Sequence, residues 1–347
     1  MAMRKKTASP GFKMSRLLTG LSKVFIGKIL FKKFHFIPHR PPMLVVELTN
    51  NCNLRCIMCE YPLMQRDGMN MDTQLAKKVL KECSEWGISR VGLSRLGEPL
   101  LHPDISEIIK FAKESGIRHV SMVCNAMLLT EEKAQKIIDS GLDLILFSID
   151  AARKETFEKI RKGADYDKVV TNIERFIKMR NELSQEKPWI EVNICLMKEN
   201  VDELPLIIEK WGQLVERVKI CPVVPLEHTN DNLIVDAPTY NGKKKACDFL
   251  WTRMVVLSNG DVTVCCADKD GDMSVGNAQK SSLKELWNSD KIRRIREIHF
   301  SKKFEKLPLC KQCCMVDEDW FNAEKAIINK YEKEWKPFGI LPSSFFS

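Results

Sequence analysis

A chain of 347 residues, 44% hydrophobic and 29% charged, has the composition of a globular protein with room for one large domain and one small one. The net charge of +9 is concentrated: residues 1–40 hold ten Lys or Arg and no acid, leaving 45 basic against 46 acidic side chains in the rest. A neutral body without a base-stacking module argues against nucleic acid as a partner, and 13 cysteines without a cleavable signal point to a reducing cytoplasm rather than a disulfide framework.

The first predicted element is a basic amphipathic arm over residues 1–40. Met14, Leu17, Leu18, Leu21, Val24, Phe25 and Ile29 fall at helical spacing among lysines. The segment is too charged to span a bilayer. Its expected role is to lie on an anionic membrane surface, which would make a cytoplasmic protein peripheral at the inner face. A basic patch also suits steering of an acidic partner.

Residues 41–225 then alternate. The strands are MLVVELT, ISRVGLS, IRHVSMVCN, LDLILFSID, WIEVNICLMK and VERVKICPVV, and amphipathic helices separate them. Six strands in this rhythm imply a parallel sheet with right-handed crossovers, either a partial barrel or an open doubly wound sheet. In both, ligands gather beyond the C-terminal strand ends. The polar stretch 226–246 reads as a linker. Within 247–320, TRMVVL and DVTVC flank the Asn-Gly turn of a hairpin, and SSLKELWNSDKIRRIREIHF reads as an amphipathic helix. Residues 321–347 are expected to be a C-terminal helix and tail.

Two groups of cysteines stand out. Cys52, Cys56 and Cys59 follow the first strand directly. Zinc prefers four ligands in paired short spacings, and a thioredoxin-like site needs only two cysteines. Three thiolates hold three irons of a [4Fe–4S] cube and leave one iron open for a substrate or cofactor. In the second group, Cys247 precedes the hairpin, Cys265 ends it, and Cys310 and Cys313 follow the helix. Four thiolates there suit either an iron–sulfur cluster or a structural zinc. Cys266 and Cys314 are spare members of this group, and Cys83, Cys124, Cys195 and Cys221 read as core residues.

The spacing Cys52-x3-Cys56-x2-Cys59 after a strand resembles the radical S-adenosylmethionine (radical SAM) superfamily. That resemblance implies a partial (β/α)6 TIM-like barrel, with SAM bound to the open iron and cleaved reductively to a 5′-deoxyadenosyl radical. SRLGEPLLHPD after the second strand resembles the family's Gly-Gly-Glu-Pro motif, so Gly97, Glu98 and Pro99 carry over as contacts to the SAM amino group, while Leu96 replaces the first glycine. A carboxylate beside an ammonium is also a strong charge-assisted pair. VCNAMLL offers Asn125, LFSID offers Ser148 and Asp150 near the ribose hydroxyls, and FEKIRKG offers Arg161 near the SAM carboxylate. Without the resemblance, Ser148 and Asp150 read as helix caps. Met58 stands where the family usually places an aromatic residue.

Cys247-x12-Gly260-x4-Cys265, then Cys310-x2-Cys313, resembles the superfamily's SPASM domain in its shortened twitch form, a small β-hairpin/helix domain with one auxiliary [4Fe–4S] cluster. The architecture resembles enzymes of the 2-deoxy-scyllo-inosamine dehydrogenase type. It implies an oxidoreductase that oxidises or otherwise modifies a sugar- or cyclitol-like hydroxyl, with the auxiliary cluster taking an electron. The alternative is a SPASM-type maturase that crosslinks a peptide. The family's electron donors are flavodoxin or ferredoxin. Glu47, Asn193 and Lys219 are strand residues able to point into the barrel.

Overall fold

The computed structural model describes residues 38–224, 231–235, 244–311 and 313–317. The amphipathic arm, most of the linker and the C-terminal segment 321–347 lie outside the described residues.

All six predicted core strands are present: β1 (Met43–Val46), β2 (Arg90–Gly92), β3 (His119–Cys124), β4 (Leu144–Ser148), β5 (Trp189–Leu196) and β6 (Arg217–Pro222). They pair in parallel in chain order. The crossovers are α1 (Thr73–Glu85), α2 (Ile105–Glu114), α3 (Glu131–Asp139), the pair α4 (Lys154–Ile160) and α5 (Tyr166–Glu182), and α6 (Leu204–Trp211). Their starts are encoded locally: Asp72, Thr130 and Asp165 each accept a hydrogen bond from a backbone N–H of the first turn.

Alternation along the strands divides the sheet's two faces. Leu44, Val91, Val120, Ile145, Phe147 and Val192 are fully buried beneath the helices, where Phe147 meets Phe176 of α5 edge-on at 5.6 Å. Val45, Gly92, Ser121, Leu146, Asn193 and Lys219 point the other way and line a cavity of about 790 Å³ inside the partial barrel.

The hairpin is not set apart from this sheet. β7 (Arg253–Val256) pairs in parallel with β1, from Met43 opposite Arg253 to Val46 opposite Val256. β8 (Asp261–Thr263) folds back on β7, and β9 (Gly276–Asn277) pairs with β8. The nine strands therefore run β9-β8-β7-β1-β2-β3-β4-β5-β6. Gly260 makes the hairpin turn at φ +86°, a conformation that costs glycine little. The predicted long helix is two: α7 (Leu283–Trp287), begun by a reciprocal Ser282–Glu285 cap, and α8 (Asp290–Phe300), begun by Ser289. The serines at 282 and 289 each start a new helix, which is why one amphipathic run breaks into two.

Candidate active site

The loop after β1 carries Cys52, Cys56 and Cys59. Its middle is anchored by a two-residue antiparallel pairing of Arg55–Cys56 with Arg161–Lys162, just beyond α4. This places the Arg161 guanidinium 3.9 Å from the Cys56 sulfur and 2.6 Å from the Asp150 carboxylate. The Tyr61 N–H points at the Cys59 sulfur at 3.4 Å. Burial raises all three thiols, Cys56 to about 11, while Arg161 acts in the opposite sense on Cys56 and Cys59. Three half-buried sulfurs on one loop, with a cation and a backbone amide aimed at them, form a donor set that fits a cluster held by thiolates.

Gly97 closes against this loop. A Cβ there would stand 2.1 Å from the Thr49 carbonyl oxygen, so only glycine permits the approach. The Glu98 N–H donates to the Asn51 carbonyl at 2.8 Å, and its carboxylate accepts the N–H groups of Leu100 at 3.2 Å and Asn125 at 2.8 Å. Burial lifts the Glu98 carboxyl to about 6 against these hydrogen bonds. Pro99 begins the short 3-10 turn that Glu98 caps. The Asn125 amide reaches Asn53 of the cysteine loop at 2.9 Å. Gly97, Glu98, Pro99 and Asn125 are thus brought to one wall of the loop.

Asp150 and Ser148 part company. Asp150 is fully buried, and besides Arg161 it accepts the Cys195 N–H at 2.7 Å. Ser148 is the last residue of β4. Neither caps the helix that follows, whose N-cap is Arg153. Met58 packs with Ile57 and Cys195 against Ile160, Met197 and Val223, an apolar seat under the loop.

The second cysteine group assembles around Phe249, on which Cys247, Cys313 and Cys314 pack. Lys245 N–H donates to the Val316 carbonyl at 2.6 Å, tying the chain before Cys247 to the chain after Cys313. Burial drives the Cys247 and Cys265 thiols well up, and the neighbouring thiols Cys310 and Cys313 reinforce this in each. Cys310 is buried and Cys247, Cys265 and Cys313 are half-buried, and thiols that act on one another in this way are a donor set that fits a second thiolate-held cluster. Cys266 faces the same group and the barrel cavity. Among the described residues, no three His, Cys, Asp or Glu side chains converge closely enough for a single metal ion.

Sequence reasoning missed two networks here. Glu47 is completely buried and takes both Arg66 nitrogens, at 2.8 and 3.0 Å, with Arg95 at 3.3 Å and the Ser258 N–H at 3.1 Å. Arg66 and Arg95 also reach the carbonyls of Lys269 and Asp268 at 2.7 and 2.6 Å. Glu47 is therefore a clamp between the cysteine loop, the Gly97 loop and the hairpin, whereas Asn193 and Lys219 line the cavity. The second network centres on His299. Its Nδ1 accepts the Cys247 N–H at 3.3 Å and its Nε2 lies 3.3 Å from the Cys310 sulfur. A lone histidine in an amphipathic helix carries little signal. Its spacing from Ile292, Ile295 and Arg296 on the buried stripe of α8 is the one clue.

Comparison with known proteins agrees with this geometry. The model of the "Radical SAM superfamily" matches residues 46–210, and that of the "Iron-sulfur cluster-binding domain" called SPASM matches residues 247–314. A probable GTP 3′,8-cyclase of Methanococcus maripaludis is 30% identical over 213 residues, covering 60% of this chain and 68% of the relative. The chain belongs to the radical SAM superfamily. A tungsten-containing aldehyde ferredoxin oxidoreductase cofactor-modifying protein of Pyrococcus furiosus is 26% identical over 319 residues, covering 79% of this chain and 87% of the relative. Among solved structures, SuiB of Streptococcus suis bound to S-adenosylmethionine superposes with a TM-score of 0.64 at 16% identity, over 87% of this chain and 79% of SuiB. BtrN in complex with AdoMet and 2-DOIA gives 0.52 at 21% identity, over 79% of this chain and 93% of BtrN. The cofactors of this radical SAM protein are [4Fe–4S] clusters and S-adenosylmethionine. Among the described residues, no helix is long and apolar enough to cross a membrane.

Proposed function

We propose that this radical SAM protein oxidises, or otherwise modifies, a hydroxyl-bearing small molecule of sugar or cyclitol type. The observation that carries this reading is the cavity. At about 790 Å³ it has the size of small-ligand sites. It runs along the inner face of the sheet from Asn193 and Ser94 near the C-terminal strand ends to Phe249, Arg253 and Cys266 of the second cysteine group. Cys266 of the second group lines it, whereas Cys52, Cys56 and Cys59 do not. Cys52–Cys59 follow the C-terminal end of β1, and Cys247 precedes the N-terminal end of β7, its parallel neighbour.

In this reading Cys52, Cys56 and Cys59 hold the cluster that, when bound, supplies the electron for reductive cleavage of SAM. Glu98 takes the SAM ammonium, with Gly97 and Pro99 setting its backbone. Asn125 holds the wall through Asn53. Arg161, kept charged by Asp150, faces the SAM carboxylate, and Ser148 lies beside Asp150 toward the ribose. Cys247, Cys265, Cys310 and Cys313 hold the auxiliary cluster, at the cavity end where an electron must leave when an alcohol becomes a ketone. A reduced flavodoxin or ferredoxin is the donor. The names of the cyclase and cofactor-modifying relatives support a small-molecule substrate.

A peptide substrate is the second reading, favoured by the fold likeness to SuiB, which was solved with precursor peptide SuiA. Anaerobically reconstituted protein with dithionite and SAM should release 5′-deoxyadenosine. With cyclitols deuterated at each carbinol carbon, deuterium should pass into that product. Transfer from a peptide panel and none from any cyclitol or sugar would replace the first reading with the second.

A further inference from the structure

We propose that His299 is a positioning residue for the auxiliary site, donating its Nε2–H to the Cys310 sulfur and thereby raising the reduction potential of the cluster held there. The proposal rests on the reading of Cys310 as a cluster ligand.

The proton's place follows from the partners. His299 Nδ1 receives the Cys247 N–H at 3.3 Å, so that nitrogen must present its lone pair. A neutral imidazole with Nδ1 as acceptor carries its hydrogen on Nε2, and Nε2 is 3.3 Å from the Cys310 sulfur. The ring therefore links two of the four cysteines, one through its backbone and one through its sulfur. It cannot easily turn away. His299 is 1% exposed, and Phe304 packs edge-on against its ring with centroids 5.0 Å apart. Arg296, one turn earlier on α8, fixes the helix by donating to the Leu250 carbonyl at 3.0 Å and the Trp287 carbonyl at 3.3 Å. The donor is thus preset by the packing of α8 on the short Phe249–Thr252 helix.

An N–H···S bond to a ligand sulfur stabilises the more electron-rich state of a cluster, since added charge resides partly on sulfur. His299 thereby makes the auxiliary site a readier electron acceptor. Burial without solvent would otherwise disfavour reduction.

The test uses full-length protein in which Cys52, Cys56 and Cys59 are all replaced by Ala, so that any cluster signal comes from the auxiliary site. This protein should retain about four irons. In a potentiometric titration followed by electron paramagnetic resonance, His299→Leu should lower the midpoint. At the parent's midpoint the reduced-to-oxidised ratio should fall about tenfold, a shift of about 59 mV for one electron. His299→Gln, whose amide keeps an N–H, should recover part of the shift. Pulsed resonance on protein containing 15N-histidine should show one weakly coupled histidine nitrogen, lost in His299→Gln. The coupling needs no variant to fold, so it decides the matter even if His299→Leu loses its iron. An unchanged midpoint with iron retained, or no histidine coupling, overturns the role of His299. A parent that binds no iron overturns the auxiliary-cluster reading and the proposal with it.

Discussion

Arg161 and Asp150 meet at 2.6 Å, both buried, and the same guanidinium lies 3.9 Å from the Cys56 sulfur. One ion pair thus couples the end of β4 to the cysteine loop. Replacing Asp150 by Asn strands a buried cation. We expect a loss of about 3–5 kcal/mol in denaturant unfolding of the iron-free chain. Cluster loading should fall with it. A loss of under about 1 kcal/mol would show that the guanidinium finds other partners.

Glu98 gives the protein a pH signature. Its carboxyl is lifted from 4.5 to about 6 by burial, so the folded state binds this proton more tightly than the unfolded chain. The stabilisation is complete below about 4.5 and is lost as pH rises through about 6, a change of about 2 kcal/mol. Titrating the stability of iron-free protein between pH 4 and 7 should reveal it, and Glu98→Gln should flatten that component. SAM affinity should run the other way, strengthening as pH rises through about 6, because the ionised carboxylate is the form that pairs with an ammonium. A pH-independent SAM affinity would remove Glu98 from that contact.

Gly97→Ala drives a methyl group into the Thr49 carbonyl. Backbone cannot swing aside as a side chain can. The expected cost is at least about 1–3 kcal/mol, with SAM binding reduced more than in a surface control. Isothermal calorimetry on the iron-loaded protein reads the second effect.

The two cysteine groups should separate cleanly. Intact anaerobic protein should hold about eight irons. Replacing Cys52, Cys56 and Cys59 by Ala should halve the iron and abolish SAM cleavage. Replacing Cys310 and Cys313 should also halve the iron, yet leave 5′-deoxyadenosine release while product formation stops. Zinc in place of iron at the second site would end its role as an electron carrier.

Glu47→Gln tests the clamp. One neutral amide cannot satisfy Arg66 and Arg95 together, and both are held within the protein. Unfolding free energy should fall by about 3–5 kcal/mol. Proteolysis should quicken first in the Cys59–Met69 loop and the Cys266–Asp270 loop, which share this anchor.

The barrel strands were legible because each carries its own alternation, and the cysteine loop because ligand spacing is local. Arg161 was legible only as part of a motif, since its partner Asp150 lies in the loop after β4. The β1–β7 pairing was not legible. Leu44 and Met254 each look like one more apolar strand residue, and nothing nearby in the chain names the partner. His299 and Glu47 escaped for the same reason: a buried polar side chain declares its purpose through groups brought to it from distant segments.

The register that sets Val46 against Val256 also orders events during synthesis. β1 leaves the ribosome before the other strands of this sheet, but one of its hydrogen-bonding edges stays open until the hairpin emerges much later. Contacts so distant in the chain form slowly, and an open apolar edge meanwhile invites pairing with other chains. The cysteine loop rides on that unfinished strand. The nascent protein therefore has a long interval in which its first three thiols are made but their surroundings are incomplete, and iron delivered before Val256 is in place would meet a site whose Glu47 clamp lacks its hairpin partners Ser258, Asp268 and Lys269.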